Sequence, residues 1–173
     1  MHIEQLRQTL RAHGARTCHE ERVLRAWTSA KALASGARRH RAEDYLPLKL
    51  RDALPALTAE LNALARIRAC HPGADGSERL LVELADGQTV ESVLLPRDGL
   101  CVSTQVGCAV GCLFCMTGRD GLLRQLGSAE IVAQVVLGRT RRPVRKVVFM
   151  GMGEPAHNMD NVLEAIDLLG TEG

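Results

Sequence analysis

Apolar residues recur at helical spacing in the first third of the chain and at strand spacing after it. Ile3, Leu6 and Leu10 fall on one face of a helix that Gly14 ends. Thr17-x-x-Glu20 has the form of a capping box ahead of Val23, Leu24, Trp27 and Leu33, with Gly36 as the stop. Pro47 predicts the start of a further short helix, and Thr58 a cap for a helix over 59–69. Pro-Gly and Asp-Gly pairs make 71–77 a linker. Residues 79–84, Asp86-Gly87 and 88–95 then read as a β-hairpin around a favourable turn dipeptide. Two strand–helix units follow: strand 101–105 with helix 128–137, and strand 146–150 with helix 159–169. The expected class is α/β, with a helical accessory domain over 1–75, a hairpin connector over 76–97 and a parallel strand–helix core over 98–173.

Charge sharpens that division. Overall it is only +2, but residues 1–70 carry 13 Lys and Arg against 7 Asp and Glu, while 71–173 carry 9 against 13. A basic lobe beside a mildly acidic one suits a nucleic-acid substrate. Arg38-Arg39-His40-Arg41 is the densest basic cluster, and 139–146 supplies a second basic stretch. Solvated surface arginines are the plainer account of either run. The uncharged stretch 99–118 is long enough to span a bilayer, but its glycines, Ser103, Gln105 and cysteines argue against it, so no membrane contact is expected. With no leader-like start and four of six cysteines crowded into 101–115, the sequence predicts a cytoplasmic protein rather than a disulfide framework.

Those cysteines carry the chemistry. Cys108, Cys112 and Cys115 stand as C-x3-C-x2-C within Gly107-Cys108-Ala109-Val110-Gly111-Cys112-Leu113-Phe114-Cys115. Structural zinc and cubane iron–sulfur sites both ordinarily use four protein ligands. A set of three leaves one iron open to bind something else. Glycines permit close approach of backbone to an inorganic core, and Phe114 is placed to shield one cluster face. The alternatives are a zinc knuckle completed by a distant ligand such as His157, or buried thiols. About 35 residues on, the apolar run Val147-Val148-Phe149-Met150 ends in Gly151-Met152-Gly153-Glu154-Pro155. A strand that ends in a glycine-rich turn is where α/β barrels hold ligands. Glu154 and nearby backbone carbonyls offer acceptors to an ammonium group.

The triple-cysteine segment and the Gly-Met-Gly-Glu-Pro turn together resemble the radical S-adenosylmethionine (SAM) superfamily. Leu100-Cys101-Val102-Ser103-Thr104-Gln105-Val106-Gly107-Cys108 is similar, more narrowly, to the bacterial RNA adenine-C2 methyltransferase family. Thr117-Gly118, Gly121, Arg124 and Leu126 extend that likeness, as do Asn158, Asp160 and Asn161. The resemblance implies a (β/α)6 barrel of which this chain carries the first two units. It implies methylation of adenine C2 in ribosomal RNA and, in some members, transfer RNA, with an electron donor as a further partner. It implies that Cys108, Cys112 and Cys115 hold one 4Fe-4S cluster and that Gly153 and Glu154 contact SAM. Glu91 stands where the family has a proton acceptor, and Cys101 where it has a resolving cysteine. On spacing alone, Glu91 equally suits a solvent-facing strand position and Cys101 a small core residue.

The family's methyl-carrying cysteine comes late in its chains, and Cys18 and Cys70 lie in the wrong region to replace it. A barrel cut after two units leaves an open sheet edge. The sequence therefore predicts an incomplete polypeptide whose own methylation activity is doubtful, with a C-terminal half or partner chain missing. Two other readings stay open: a split or truncated radical SAM protein, and a non-catalytic RNA- or metal-binding remnant.

Overall fold

The computed structural model describes residues 1–35 and 45–171. Gly36 and the Arg38-Arg39-His40-Arg41 cluster lie outside the described residues. Three helices, α1 (Ile3–Ala12), α2 (Thr17–Thr28) and α3 (Leu48–Ala63), precede three antiparallel strands, β1 (Ala65–Pro72), β2 (Glu78–Leu84) and β3 (Thr89–Leu95). Then come β4 (Gly99–Cys101), β5 (Gln105–Gly107), β6 (Leu122–Gln125), α4 (Ser128–Arg141), β7 (Lys146–Val148) and α5 (Met159–Thr171). The main sheet has the order β1-β2-β3-β4-β7, antiparallel except for the parallel β4–β7 pair. β5 and β6 form a separate two-stranded sheet.

The mixed α/β class and the two strand–helix units agree with the sequence; several local expectations do not. The helix expected over 59–69 is instead the end of α3 followed by β1. Pro47 precedes one continuous helix that runs through Pro55, and Thr58 donates its hydroxyl back to Leu54 O (2.7 Å) rather than capping anything. Alternation across Ala65, Ile67 and Ala69 then lets β1 pair with β2, so the hairpin becomes a three-stranded sheet. The Thr17–Glu20 capping box is absent as well. His19 Nδ1 accepts from Arg16 N–H (3.1 Å), while Glu20 is buried against Arg11 at 2.8 and 3.0 Å. α2 stops at Thr28, short of Leu33, because Ala30 adopts a left-handed backbone (φ 54°) and the chain turns away.

One apolar core runs through all of these elements except β6. Leu80, Val82, Val90, Leu94, Leu100 and Val102 present the inner sheet face to Ile131, Val132 and Val135 of α4, and the same buried cluster extends to Leu6, Leu24 and Leu50 of the helical segment. The segments are also tied by polar contacts. Glu164 of α5 accepts from the Ile3 and Glu4 backbone N–H groups at 3.3 and 2.8 Å and from Ser128 Oγ. A carboxylate at the first turn of α1 offsets the unpaired donors and the positive end of the helix dipole.

The basic stretch 139–146 is largely occupied inside the fold. Arg139 donates to Thr28 O (2.6 Å), Arg141 grips Glu78 at 2.6 and 3.1 Å, and Arg142 donates to Leu95 O and Gly76 O, both at 3.0 Å. Arg141 and Arg142 thus staple the end of α4 to the hairpin, and Arg139 ties it to α2. No helix of the described residues is long and apolar enough to cross a membrane.

Candidate cysteine loop and glycine-rich turn

β4 and β7 run parallel, so their C-terminal ends open on the same side of the sheet. The chain expected to continue as one strand over 101–105 breaks there. Val102 N–H still bonds Val148 O (2.9 Å), but the next residues are captured by the turn after β7. Thr104 and Gln105 N–H both donate to Met152 O (2.8 and 3.2 Å), and Gly151 N–H donates to Val102 O (3.0 Å). Ser103 Oγ accepts from Met152 N–H (2.8 Å) and donates to Glu91 O (2.6 Å). Segment 102–105 and turn 151–154 are thus laced together, with Glu91 of β3 tied to the same knot.

Buried amides complete it. Gln134 Oε1 accepts from Ser92 Oγ and Ser103 N–H, both at 2.9 Å, while its Nε2 donates to Ser103 O (2.9 Å). Asn158 Nδ2 donates to Thr104 O and Leu126 O, both at 2.8 Å, and its Oδ1 accepts from Asn161 Nδ2 (2.8 Å). The backbone and amide groups named here are paired, as burial requires; the Thr104 hydroxyl, buried in the same knot, has no partner among the described residues.

Between β5 and β6 runs the cysteine loop. Gly107 sits at φ +77°, and a Cβ there would collide with the Gly121 carbonyl oxygen, which also accepts from Cys108 N–H (3.0 Å). Only glycine permits this closure of the loop's base. Cys108 is half-buried, Cys112 and Cys115 are exposed, and all three are free thiols. Among the described residues no three His, Cys, Asp or Glu side chains group as a metal site: the three cysteines do not converge, and His157 does not join them. A concavity of about 290 Å³ is lined by Gly111, Cys112, Cys115, Met116 and Arg119, among others. Phe114, expected to shield a cluster, is 92% exposed. Hydrogen bonds from the Thr117 hydroxyl and backbone N–H hold the Cys115 thiol below its ordinary value, favouring thiolate. By its chemistry, three thiols on one short loop with two of them lining a shallow cup, the donor set suits an iron–sulfur cluster, although the thiols do not converge in this structure.

Gly153 has φ +100°, and a Cβ there would lie 2.5 Å from Gln105 Cβ. Glu154 accepts from Ala156 N–H through Oε1 (3.0 Å), capping the short 3-10 turn Pro155–Asn158. Its Oε2 has no partner among the described residues.

Glu91 and Cys101 share a sheet face. Val93 pairs with Cys101 across β3–β4, and Glu91 is two residues from Val93, so both point away from the face that packs on α4. Glu91 meets Arg79 at 3.3 Å, and both are partly exposed. Cys101 is 8% exposed; burial pushes its thiol up, partly offset by a hydrogen bond from Met150 N–H. Cys70 lies on β1, three strands from β4, and Cys18 is exposed on α2.

Residues 102–172 match the model of the Radical SAM superfamily. That segment begins at the knot after β4 and contains the cysteine loop, the glycine-rich turn and α5. A "Probable RNA methyltransferase" of Dechloromonas aromatica is 76% identical over all 173 residues, which cover 48% of that protein. One from Azoarcus sp. is 75% identical, again over the whole chain and 49% of the relative. The crystal structure of a radical SAM methyltransferase from Sphaerobacter thermophilus superposes with a TM-score of 0.71 at 32% identity, covering 100% of this chain and 52% of that one. The chain spans about half the length of the curated relatives it matches.

Arg124, one of the residues carrying the resemblance, joins Glu130 at 2.8 and 3.0 Å and Asp86 at 2.6 Å, linking the hairpin turn to the start of α4. The sequence reading missed Gln105, Gln125 and Gln134. For Gln105 a polar residue amid Val, Ser and Thr in an uncharged run was the available signal; Gln125, beside Arg124, offered none.

Proposed function

We propose that residues 98–173 hold a 4Fe-4S cluster and SAM for a radical methyltransferase that acts on C2 of adenine in ribosomal or transfer RNA, with the N-terminal segment 1–75, three helices followed by β1, as its RNA-binding accessory domain. One observation supports this most: the cysteine loop and the Gly151–Glu154 turn hang from the same end of the parallel β4–β7 pair and are hydrogen-bonded to each other's bases. A cluster with an open iron and a bound SAM supply, when present, the electron and the 5′-deoxyadenosyl radical that a non-nucleophilic ring carbon requires. The names of the relatives support RNA as the substrate.

The chain's own residues take the remaining tasks. Cys108, Cys112 and Cys115 hold the metal. The Glu154 carboxylate, already fixed through Oε1, offers Oε2 to the SAM ammonium. Glu91 accepts the C2 proton, since a positioned carboxylate within reach of the ring suits that role. Its partner Arg79 lies on the same sheet face as Arg66 and Glu83, a polar approach for a phosphate backbone. Cys101, on Glu91's face and protonated in its buried setting, is the resolving thiol. The methyl-carrying cysteine is assigned to the part of the relatives that these 173 residues do not span.

The test is anaerobic reconstitution of the natural polypeptide with iron and sulfide, followed by reaction with SAM, a reductant and each RNA class. The expected result is a brown protein and C2-methyladenosine in the nucleoside mass spectrum. A colourless protein, or methylation only at another position, defeats the assignment.

A further inference from the structure

Gln105 and Gln125 open and close the cysteine loop, as residue partners at the outer end of the β5–β6 ladder. Their side chains pair as well: Gln105 Nε2 donates to Gln125 Oε1 (2.9 Å). The chain of amides continues in both directions. Gln105 Oε1 accepts from Glu154 N–H (2.8 Å), and Gln125 Nε2 donates to His157 O (2.8 Å). Gln105 is wholly buried, and its Cβ and Cγ fill the space that a side chain at Gly153 would need. An amide held at both ends, in van der Waals contact with a left-handed glycine, leaves turn 153–154 little freedom.

We propose that Gln105 and Gln125 are positioning residues that lock the Gly153–Glu154 turn to the two ends of the cysteine loop, setting where SAM's methionine end sits relative to the metal. The inference rests on the SAM assignment of Gly153 and Glu154. Nothing in the amide relay is needed to ligate metal, because the cysteines lie within the loop and the amides at its base. Nor does the turn depend on the relay to exist, since Met152 is bonded to Ser103, Thr104 and Gln105 through backbone groups and the Ser103 hydroxyl. Loss of the amides therefore releases the orientation of Glu154 more than the fold.

The experiment measures SAM affinity by equilibrium dialysis, without reductant, on the anaerobically reconstituted protein, alongside iron content and melting temperature. Gln105→Met keeps the volume and removes both hydrogen bonds. It is expected to weaken SAM binding about tenfold, or about 1.4 kcal/mol, at unchanged iron content. Gln125→Met is expected to weaken it about threefold, since an outer link costs less than one touching the turn. Gln125→Glu keeps the acceptor for Gln105 Nε2 and is expected to bind within about twofold of the parent, a rescue that simple destabilisation would not give. Should Gln105→Met fail to fold, the Gln125 pair decides. Equal affinity in Gln125→Met and Gln125→Glu overturns the proposal, as does Gln105→Met with parental affinity. A parent protein that is loaded with iron yet binds no SAM overturns the underlying SAM assignment instead, and this inference with it.

Discussion

The cysteine loop and the knot at its base use the same stretch of chain in opposite ways. In the knot, Ser103, Thr104, Gln105 and Asn158 are buried and their backbone and amide groups are paired within the protein. On the loop, Val110, Leu113, Phe114 and Met116 are exposed, as are two of the three cysteines. The knot spends its polar groups on structure; the loop holds its thiols and apolar side chains out. The proposed cluster and SAM would need both: a frame that does not move and a loop whose contacts are made by what it binds. If this division is right, substitutions in the knot are costly without any ligand, and those on the loop are nearly free until metal is added.

Asn158→Leu is the largest expected perturbation. It strands the carbonyl of Leu126 and the amide of Asn161, leaves Thr104 O with only the Leu126 N–H, and should lower unfolding free energy by about 3 kcal/mol, read by denaturant titration of the metal-free protein. A loss no greater than that of an exposed loop substitution would erase the distinction between the regions.

Arg124→Met is next, at about 2 kcal/mol, because Glu130 is left buried while the pair with partly exposed Asp86 counts for less. This effect has a pH signature. Arg124 holds the Asp86 carboxyl below its ordinary value of 3.8. A depressed carboxyl contributes stability that is fully present above the unfolded value and lost as pH falls through the folded one. The gap between parent and Arg124→Met should therefore be widest near neutrality and narrow on acidification below about pH 4. A gap that widens in acid would mean that Arg124 stabilises through something other than these carboxylates.

Phe114→Ser on the loop should change metal-free stability by less than about 0.5 kcal/mol, since the ring is already in solvent.

What was legible in the sequence follows the same line. The cysteine spacing, the Gly-Met-Gly-Glu turn and the parallel units were readable because each depends on local residue type and period. β1 was not. Thr58 and the apolar residues after it fit a helix as well as a strand, and pairing with β2 is a tertiary choice that propensity cannot see. The break after Cys101 was hidden for a related reason: Val102 to Val106 has strand composition, but Met152, nearly fifty residues later, takes its N–H groups. The amide relay was invisible because a glutamine in sequence does not say which carbonyl it will meet. Conversely, the basic run at 139–146 suggested an RNA surface, and Arg139, Arg141 and Arg142 within it serve the fold.

The finest comparison uses one residue type in both regions. Cys101 belongs to the knot's sheet, where burial pushes its thiol up; Cys115 belongs to the loop, where Thr117 holds its thiol down. Thiolate, not thiol, reacts with an alkylating reagent, and access counts as well. In metal-free protein Cys115 should be modified first, with an onset at lower pH than for Cys101, as read by peptide mass spectrometry along a pH series. Thr117→Val removes the hydroxyl donor and should move the Cys115 onset upward while leaving Cys101 unchanged. If both cysteines reacted with one pH profile, the loop would be no better prepared to give up its protons to a metal than the core, and the contrast between frame and grip would rest on exposure alone.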